Sequence, residues 1–241
     1  MENSSYIALS RQMTLQNELS VVANNIANAN TSAFKGEKMV FREYLTKATT
    51  KNQEELSFVQ DIGLARDLSE GPLQTTGNSF DVAINGSGYF MLDTPSGDRF
   101  TRQGHFQLDT ESNLVNSQGF PVAGVNGTIN IPLDEGEIYI ASDGTISTDL
   151  SENIAKLRIV EFEDEQAMSR SAHGLYTSEE TPSNVANVKV VQGYLENSNV
   201  KPILEMTRMM TLSREYQSVQ NFVKKEHERQ QKAIERLGRI S

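Results

Sequence analysis

The chain has 241 residues, 37% of them apolar, and carries a formal net charge of −10 with no cysteine. The missing thiols exclude disulfides and thiolate metal sites, and the acidic balance argues against nucleic acid, because phosphate contacts need clustered Lys and Arg. No run approaches the ~20 apolar residues of a membrane span, which argues against direct membrane insertion, and residues 1–10 lack the basic-then-apolar order of a cleavable secretory signal.

In chain order, the stretch from Tyr6 to about Asn28 places apolar or small side chains at spacings of four and three: Ala8, Leu15, Leu19, Val22, Ile26 and, just past it, Ala29, with Gln12 breaking the series. This predicts a helix over residues 1–30 with a narrow stripe, closer to a coiled-coil seam than to the broad face of a globular helix. It should stop in Ala29-Asn30-Thr31-Ser32, where short polar side chains compete for backbone hydrogen bonds. Residues 31–77 are mixed and polar, with Phe34, Val40, Phe41, Tyr44, Leu45, Phe58 and Val59 as scattered anchors, and read as an extended arm with short strands. Residues 78–197 alternate short apolar runs with turn signals at 85–88, 94–98, 118–119, 126–127, 134–136 and 143–144, the pattern of an all-β domain. From 198 to 241 a second helix is predicted, opening at Ser198 or Asn199 with Pro202 tolerated in its first turn. Its stripe is Met209, Leu212, Tyr216, Val219, Val223, Ala233, Leu237 and Ile240, with Glu226 and Gln230 between. The expected fold is therefore mainly β with α-helical termini: helices 1–30 and 198–241 pair as a coiled-coil stem, followed by an extended arm and an outer all-β domain.

Six or seven buried aliphatic side chains at ~1.5–3 kcal/mol each do not offset about 1–2 kcal/mol per residue of backbone entropy over about 25 residues. Each terminal helix therefore needs the other, or a neighbouring copy, and should order on assembly. The Asn-rich segment 24–30 adds short side chains suited to close helix approach. The residues expected to pack between subunits are thus Leu15, Leu19, Val22, Asn24, Asn25, Ile26, Asn28 and Asn30 at one end, with Met209, Leu212, Tyr216, Val219 and Val223 at the other. Met206, Met209 and Met210 form a soft apolar patch, read as core filler shared between subunits.

Signals for chemistry are weak. Gly86-Ser87-Gly88 is followed by a strand-like run where a dinucleotide fingerprint needs a helix, so it reads as a tight hairpin. Residues 109–113 imitate the start of a calcium loop, but Leu114 and Phe120 occupy the positions of its glycine and its acidic ligand. His105, His173 and His227 share no ligand spacing, and no serine sits in a nucleophile elbow. No active site and no cofactor are expected.

Four blocks carry a resemblance: LSVVANNIANANTSAFK from Leu19, GPLQTTGNSFDVAINGSGYFML from Gly71, FTRQGHFQLDTESNLVNSQGFPVAG from Phe100, and VVQGYLENSNVKPILEMTRMMTLSREYQSVQNFV from Val190. In that order they resemble the flagellar rod and hook proteins over the whole chain. Compact length, IASDGTIS from Ile140 and the C-terminal EMTRMM point within the family to the proximal rod, with a distal-rod paralogue as the alternative. Asn113 stands where the family commonly has Gly, a change that Asn tolerates through left-handed backbone, and Tyr89 replaces a usual Phe. The resemblance implies a non-enzymatic structural part of the bacterial flagellar basal body, exported by the flagellar type III apparatus and polymerised into the periplasm-spanning rod. It implies as partners copies of itself and other rod proteins, proximal and distal. From other classes, a secreted oligomeric β-domain adhesin and a hydrolase with an acidic pair are weaker readings, since the chain has no Trp and 7% aromatic residues.

Overall fold

The computed structural model describes residues 2–46, 56–132, 136–185 and 189–238; Asp134, Glu135 and Ile240, which enter the expectations above, lie outside them. Helix α1 spans Glu2–Ala27 and is followed by the long strands β1 (Glu37–Thr46) and β2 (Leu56–Arg66). Next come β3 (Leu73–Thr75), β4 (Val82–Ile84), β5 (Tyr89–Leu92), β6 (Arg99–Thr101), β7 (Phe106–Leu108), β8 (Leu114–Asn116), β9 (Ala123–Gly124) and β10 (Gly127–Thr128). The series continues with β11 (Ile138–Ile140), β12 (Thr145–Thr148), β13 (Ala155–Lys156), β14 (Ile159–Glu161), β15 (Ser169–Arg170), β16 (Tyr176–Thr177), β17 (Ser183–Asn184), β18 (Val190–Gln192) and β19 (Tyr194–Glu196). Helix α2 closes the chain over Pro202–Gly238. The protein is mostly β with a helix at each end, and it divides into two compact units: residues 1–29, 36–67 and 200–241 form one, residues 30–35 and 68–199 the other.

In the helical unit, β1 and β2 form an antiparallel ribbon of 10 and 11 residues, longer than the short strands expected of an arm. Val40 pairs with Gly63 but Phe41 pairs with Asp61. Ile62 is thus the extra residue of a β-bulge, which sharpens the local twist. Helix α2 begins at Pro202, later than Ser198 or Asn199, and the reason is local. The Asn199 side chain donates to the Ser69 carbonyl at 2.9 Å. The Lys201 carbonyl instead accepts from the N–H groups of Leu204 and Glu205 at 3.0 and 3.1 Å, and Pro202 takes the first helical position, where a missing N–H costs nothing.

The β unit is organised around one six-stranded sheet in the order β15-β16-β6-β5-β14-β17. Strand β5, Tyr89-Phe90-Met91-Leu92, is buried at every position. Because successive side chains leave opposite faces of a strand, it serves two cores. Phe90 and Leu92 pack with Val82, Phe106, Leu114, Val122 and Ile146; Tyr89 and Met91 pack with Phe100, Val160, Phe162, Met168 and Tyr176. A strand covered on both faces reads as a continuous apolar run rather than an alternation. Edge-to-face pairs, Phe90 with Phe106 at 5.1 Å and Phe100 with Phe162 at 4.8 Å, add directional attraction to the area buried.

Turn chemistry locates the reversals, with two corrections. Residues 94–98 join β5 to β6, 125–126 join β9 to β10 and 141–144 join β11 to β12, all antiparallel pairs. The turn at 85–88 is not a hairpin, because β4 pairs with β18 while β5 pairs with β6 and β14. Its carbonyls are committed elsewhere: those of Gly86 and Gly88 each accept from the Arg102 guanidinium at 2.9 Å, so this corner wraps a cation. In the turn at 109–113 the left-handed residue is Ser112, with φ 65°, and not Asn113. Asn113 instead gives its backbone N–H, like that of Glu111, to the Asp109 carboxylate at 2.8 Å. These donors hold the Asp109 carboxyl below its ordinary range.

A buried ionic cluster lies where the chain enters and leaves the β unit. Lys35 Nζ donates to Glu196 Oε1 at 2.6 Å, and Arg102 Nε donates to Glu196 Oε2 at 2.8 Å, with all three side chains 5% exposed or less. Burial pushes the Lys35 ammonium below its usual pKa, with Glu196 opposing. Burial pushes Glu196 the other way, but Arg102 and Lys35 outweigh it and hold the carboxyl below its usual range. A depressed carboxylate stabilises the fold above its unfolded pKa, and that contribution is lost as pH falls through the folded one.

The doubly buried strand gives a stability prediction. Phe90→Ala should cost about 3–5 kcal/mol of unfolding free energy, read by urea denaturation as a lower midpoint with an unchanged slope.

Candidate assembly interface

The apolar stripes meet within the helical unit. Leu15 and Val22 of α1 and Leu212 of α2 are buried together, with Leu19, Ile26, Tyr216 and Val219 packed against them. Polar pairs flank this seam: Arg11 with Glu215 at 2.9 Å, Gln12 Nε2 donating to Tyr216 Oη at 3.0 Å, and Arg208 with Glu18 at 2.7 Å. As the α1 position advances from 11 through 12 to 18, its α2 partner retreats from 215 and 216 to 208. The helices therefore run antiparallel. On that register the start of α1 lies opposite about residue 225, and among the described residues the segment of α2 from there to Gly238, roughly 20 Å at 1.5 Å per residue, lies past the first residue of α1. Exposed pairs such as Arg11 with Glu215 contribute little to stability, so the apolar seam carries the contact.

The asparagines do different things. Asn25 is 3% exposed, and its carboxamide faces the first residue of β1: Nδ2 donates to the Glu37 carbonyl at 2.8 Å while Oδ1 accepts the Glu37 N–H at 3.0 Å. In an antiparallel ladder, residues alternate between turning both backbone groups toward the partner strand and turning both away. Glu37, opposite Arg66, is of the outward kind. Asn25 thus supplies what a third strand would, and pins the ribbon to α1. Asn28 Nδ2 donates back to the Asn24 carbonyl at 2.9 Å and finishes the helix end, while the Asn24 and Asn30 side chains lie at the surface.

Among the expected packing residues, the structure gathers Leu15, Leu19, Val22, Ile26, Leu212, Tyr216 and Val219 on one seam; Val223 is half-buried and Met209 is exposed. The methionine patch does not fill the core of this chain. Met206, Met209 and Met210 are each at least 39% exposed and, with Ser213, Arg214 and Gln217, line an open groove of about 560 Å³. Tyr6, Leu9 and Met13 of α1 are exposed as well. Sequence reasoning missed Glu18 and Arg208, whose only signal is an acid inside an apolar stripe, and it took Gln12 for a defect although Tyr216 answers it. Among the described residues no group of three or more His, Asp or Glu is placed to hold a metal ion.

Comparison with known proteins matches three stretches of the chain to family profiles. Residues 6–35 match "Flagella basal body rod protein", residues 83–148 the "Flagellar hook protein FlgE/F/G D1 domain", and residues 191–236 "Flagellar basal body rod FlgEFG protein C-terminal". The flagellar basal-body rod protein FlgF of Caulobacter vibrioides is 37% identical over 246 residues, covering 100% of both chains. The chain belongs to the flagellar basal-body rod protein family. Its FlgF-named relative in Rhizobium meliloti is 34% identical over 99% of both chains, and the FlgG-named relative in Bacillus subtilis is 30% identical over 90% of this chain. As a rod protein it is a structural subunit of the basal body, and coverage from end to end favours the FlgF likeness. The profile at 6–35 contains both the Asn25 clamp and Lys35, so the rod-protein signature ends in two buried polar anchors rather than in a solvated helix terminus.

The clamp gives a prediction with a defined pH dependence. In Asn25→Asp a carboxylate oxygen replaces the donor facing the Glu37 carbonyl, which should cost about 1–3 kcal/mol at pH 7. Protonation of the introduced carboxyl restores a donor toward that carbonyl, so the group titrates above its unfolded value, and its stabilisation is present below the unfolded pKa and lost as pH rises through the folded one. Urea melts followed by helical circular dichroism should show the deficit shrinking toward pH 3.

Proposed function

We propose that this rod protein polymerises into the proximal part of the flagellar rod, with its two helices forming a coiled-coil stem whose uncovered faces are packed by neighbouring copies. The observation that carries the reading is the apolar surface that the single chain leaves in water on its terminal helices: Tyr6, Leu9 and Met13 on α1, and Ile203, Leu204, Met206, Met210 and Phe222 on α2. Burying a side chain of this size stabilises by about 1.5–3 kcal/mol, which makes eight of them a strong drive to associate. Val40, Phe41 and Leu64 on the ribbon are exposed as well.

On this reading the stem comprises residues 1–30 and 198–241, the arm 31–77 and the outer β domain 78–197. Leu15, Leu19, Val22, Ile26, Leu212, Tyr216, Val219 and Val223 build the stem, while Asn24, Asn28, Asn30 and Met209 meet adjacent subunits and Asn25 holds the arm. The narrow stripes leave the helices marginal in isolation, which suits passage through the flagellar type III export channel and ordering at the growing tip. Repeated heterologous contacts then build a helical tube among other rod proteins. The role is structural, with no chemistry.

Charge placed on the uncovered face tests this. Met210→Asp, at a position exposed in the single chain, should change monomer stability by less than about 0.5 kcal/mol while abolishing swimming and rod assembly, because each copy would bury an unpaired carboxylate at a cost of several kcal/mol. Normal motility in that strain would count against the stem reading.

A further inference from the structure

Three short segments of the β unit lie beside all four passages of the chain between its units, which fall at 29/30, 35/36, 67/68 and 199/200. They are residues 32–35, 69–72 and 196–199, and they are laced to one another. The Ala33 N–H donates to the Glu196 carbonyl at 2.8 Å, the Asn197 N–H to the Pro72 carbonyl at 2.9 Å and the Asn199 N–H to the Phe34 carbonyl at 3.2 Å. Lys35 Nζ and Asn199 Nδ2 both donate to the Ser69 carbonyl, at 2.8 and 2.9 Å. The Glu196 carboxylate stands at the centre, accepting from Lys35, from Arg102 and from the Gly71 N–H at 3.0 Å.

Two further observations say that this arrangement is enforced. Ala33 holds a left-handed backbone with φ 56°, a conformation that costs a non-glycine residue of order 1–2 kcal/mol and persists where the surroundings over-determine it. Gly71 passes so close to Asn197 that a Cβ there would overlap the Asn197 carbonyl oxygen. A buried carboxylate between two cations is unforgiving: removing Glu196 leaves two cations buried without a counter-charge, which destabilises far more than the intact cluster stabilises. Its three members come from segments far apart in the chain, Lys35, Arg102 and Glu196, one within each of the three stretches that match family profiles.

We infer that the Glu196 carboxylate is a central clasp that locks residues 32–35, 69–72 and 196–199 into one joint, so that the four passages out of the β unit open together and never singly. The clasp works in the isolated chain and does not rest on the assembly reading. Without it, each connection would fray as an independent loop, and motion of one would leave the others in place. With it, the segments are one cooperative element whose opening requires the carboxylate to release both cations at once.

Native-state amide exchange on the unassembled full-length chain tests this. The N–H groups of Ala33, Gly71, Asn197 and Asn199 should share one opening rate. Glu196→Gln should accelerate all four by at least about tenfold while the N–H groups of Leu114 and Val122 in the main core stay within about twofold. Lys35→Met, which keeps the Arg102–Glu196 pair, should shift the same four together by a smaller factor, and it serves by the same criterion if Glu196→Gln does not fold. Acceleration of Gly71 alone, or four unrelated rates in the unmodified chain, would overturn the clasp. Failure of the rod reading would appear as normal motility in the Met210→Asp strain and would leave these rates untouched.

Discussion

A helix of 26 residues that fully buries little more than Leu15 and Val22 does not hold itself together in water, and the architecture follows from that constraint. Backbone ordering costs about 1–2 kcal/mol per residue, more than two or three buried aliphatic side chains return. Helix α1 therefore depends on what lies against it: Leu212 and Tyr216 of α2 along the seam, and the β1–β2 ribbon pinned through Asn25. Both partners come from elsewhere in the chain, and together they still leave apolar surface on each helix. The β unit is the opposite case. Its strands are short, yet β5 buries all four side chains between two cores, so its stability is internal.

The same contrast connects structure to role. A subunit that must remain soluble before assembly and join neighbours after it needs one part that is complete and one part that is not. Incompleteness here has an address: the face bearing Met206 and Met210, and the side of α1 bearing Tyr6 and Met13. The net charge of −10 keeps single chains apart over distance, while apolar contact acts at short range once they meet.

What the sequence made legible depended on the range of the interaction. Periodicity found Leu15, Leu19, Val22, Leu212 and Val219, because a helical stripe is a local pattern that survives in any tertiary setting. The glycines at 86 and 88 announced a sharp change of direction but not the strand partners on either side, since ladder pairing is set by the rest of the sheet; the expected hairpin proved to be a corner around Arg102. Asn25 looked like its neighbours Asn24 and Asn28, and its distinction comes from the backbone of Glu37 twelve residues away. Nothing in the sequence beside Lys35 or Arg102 marks either as buried. Their burial follows from Glu196, at sequence separations of 161 and 94, which no window along the chain can see.

The central claim is that the terminal helices complete themselves against other copies. An image reconstruction of the assembled basal body that resolves side chains in this subunit tests it most directly. Tyr6, Met13, Met206 and Met210 should each be buried against a neighbouring chain, with α2 beyond residue 225 enclosed by adjacent helices. A rod in which those side chains stay in solvent, while neighbouring copies touch through their β units alone, would contradict the account.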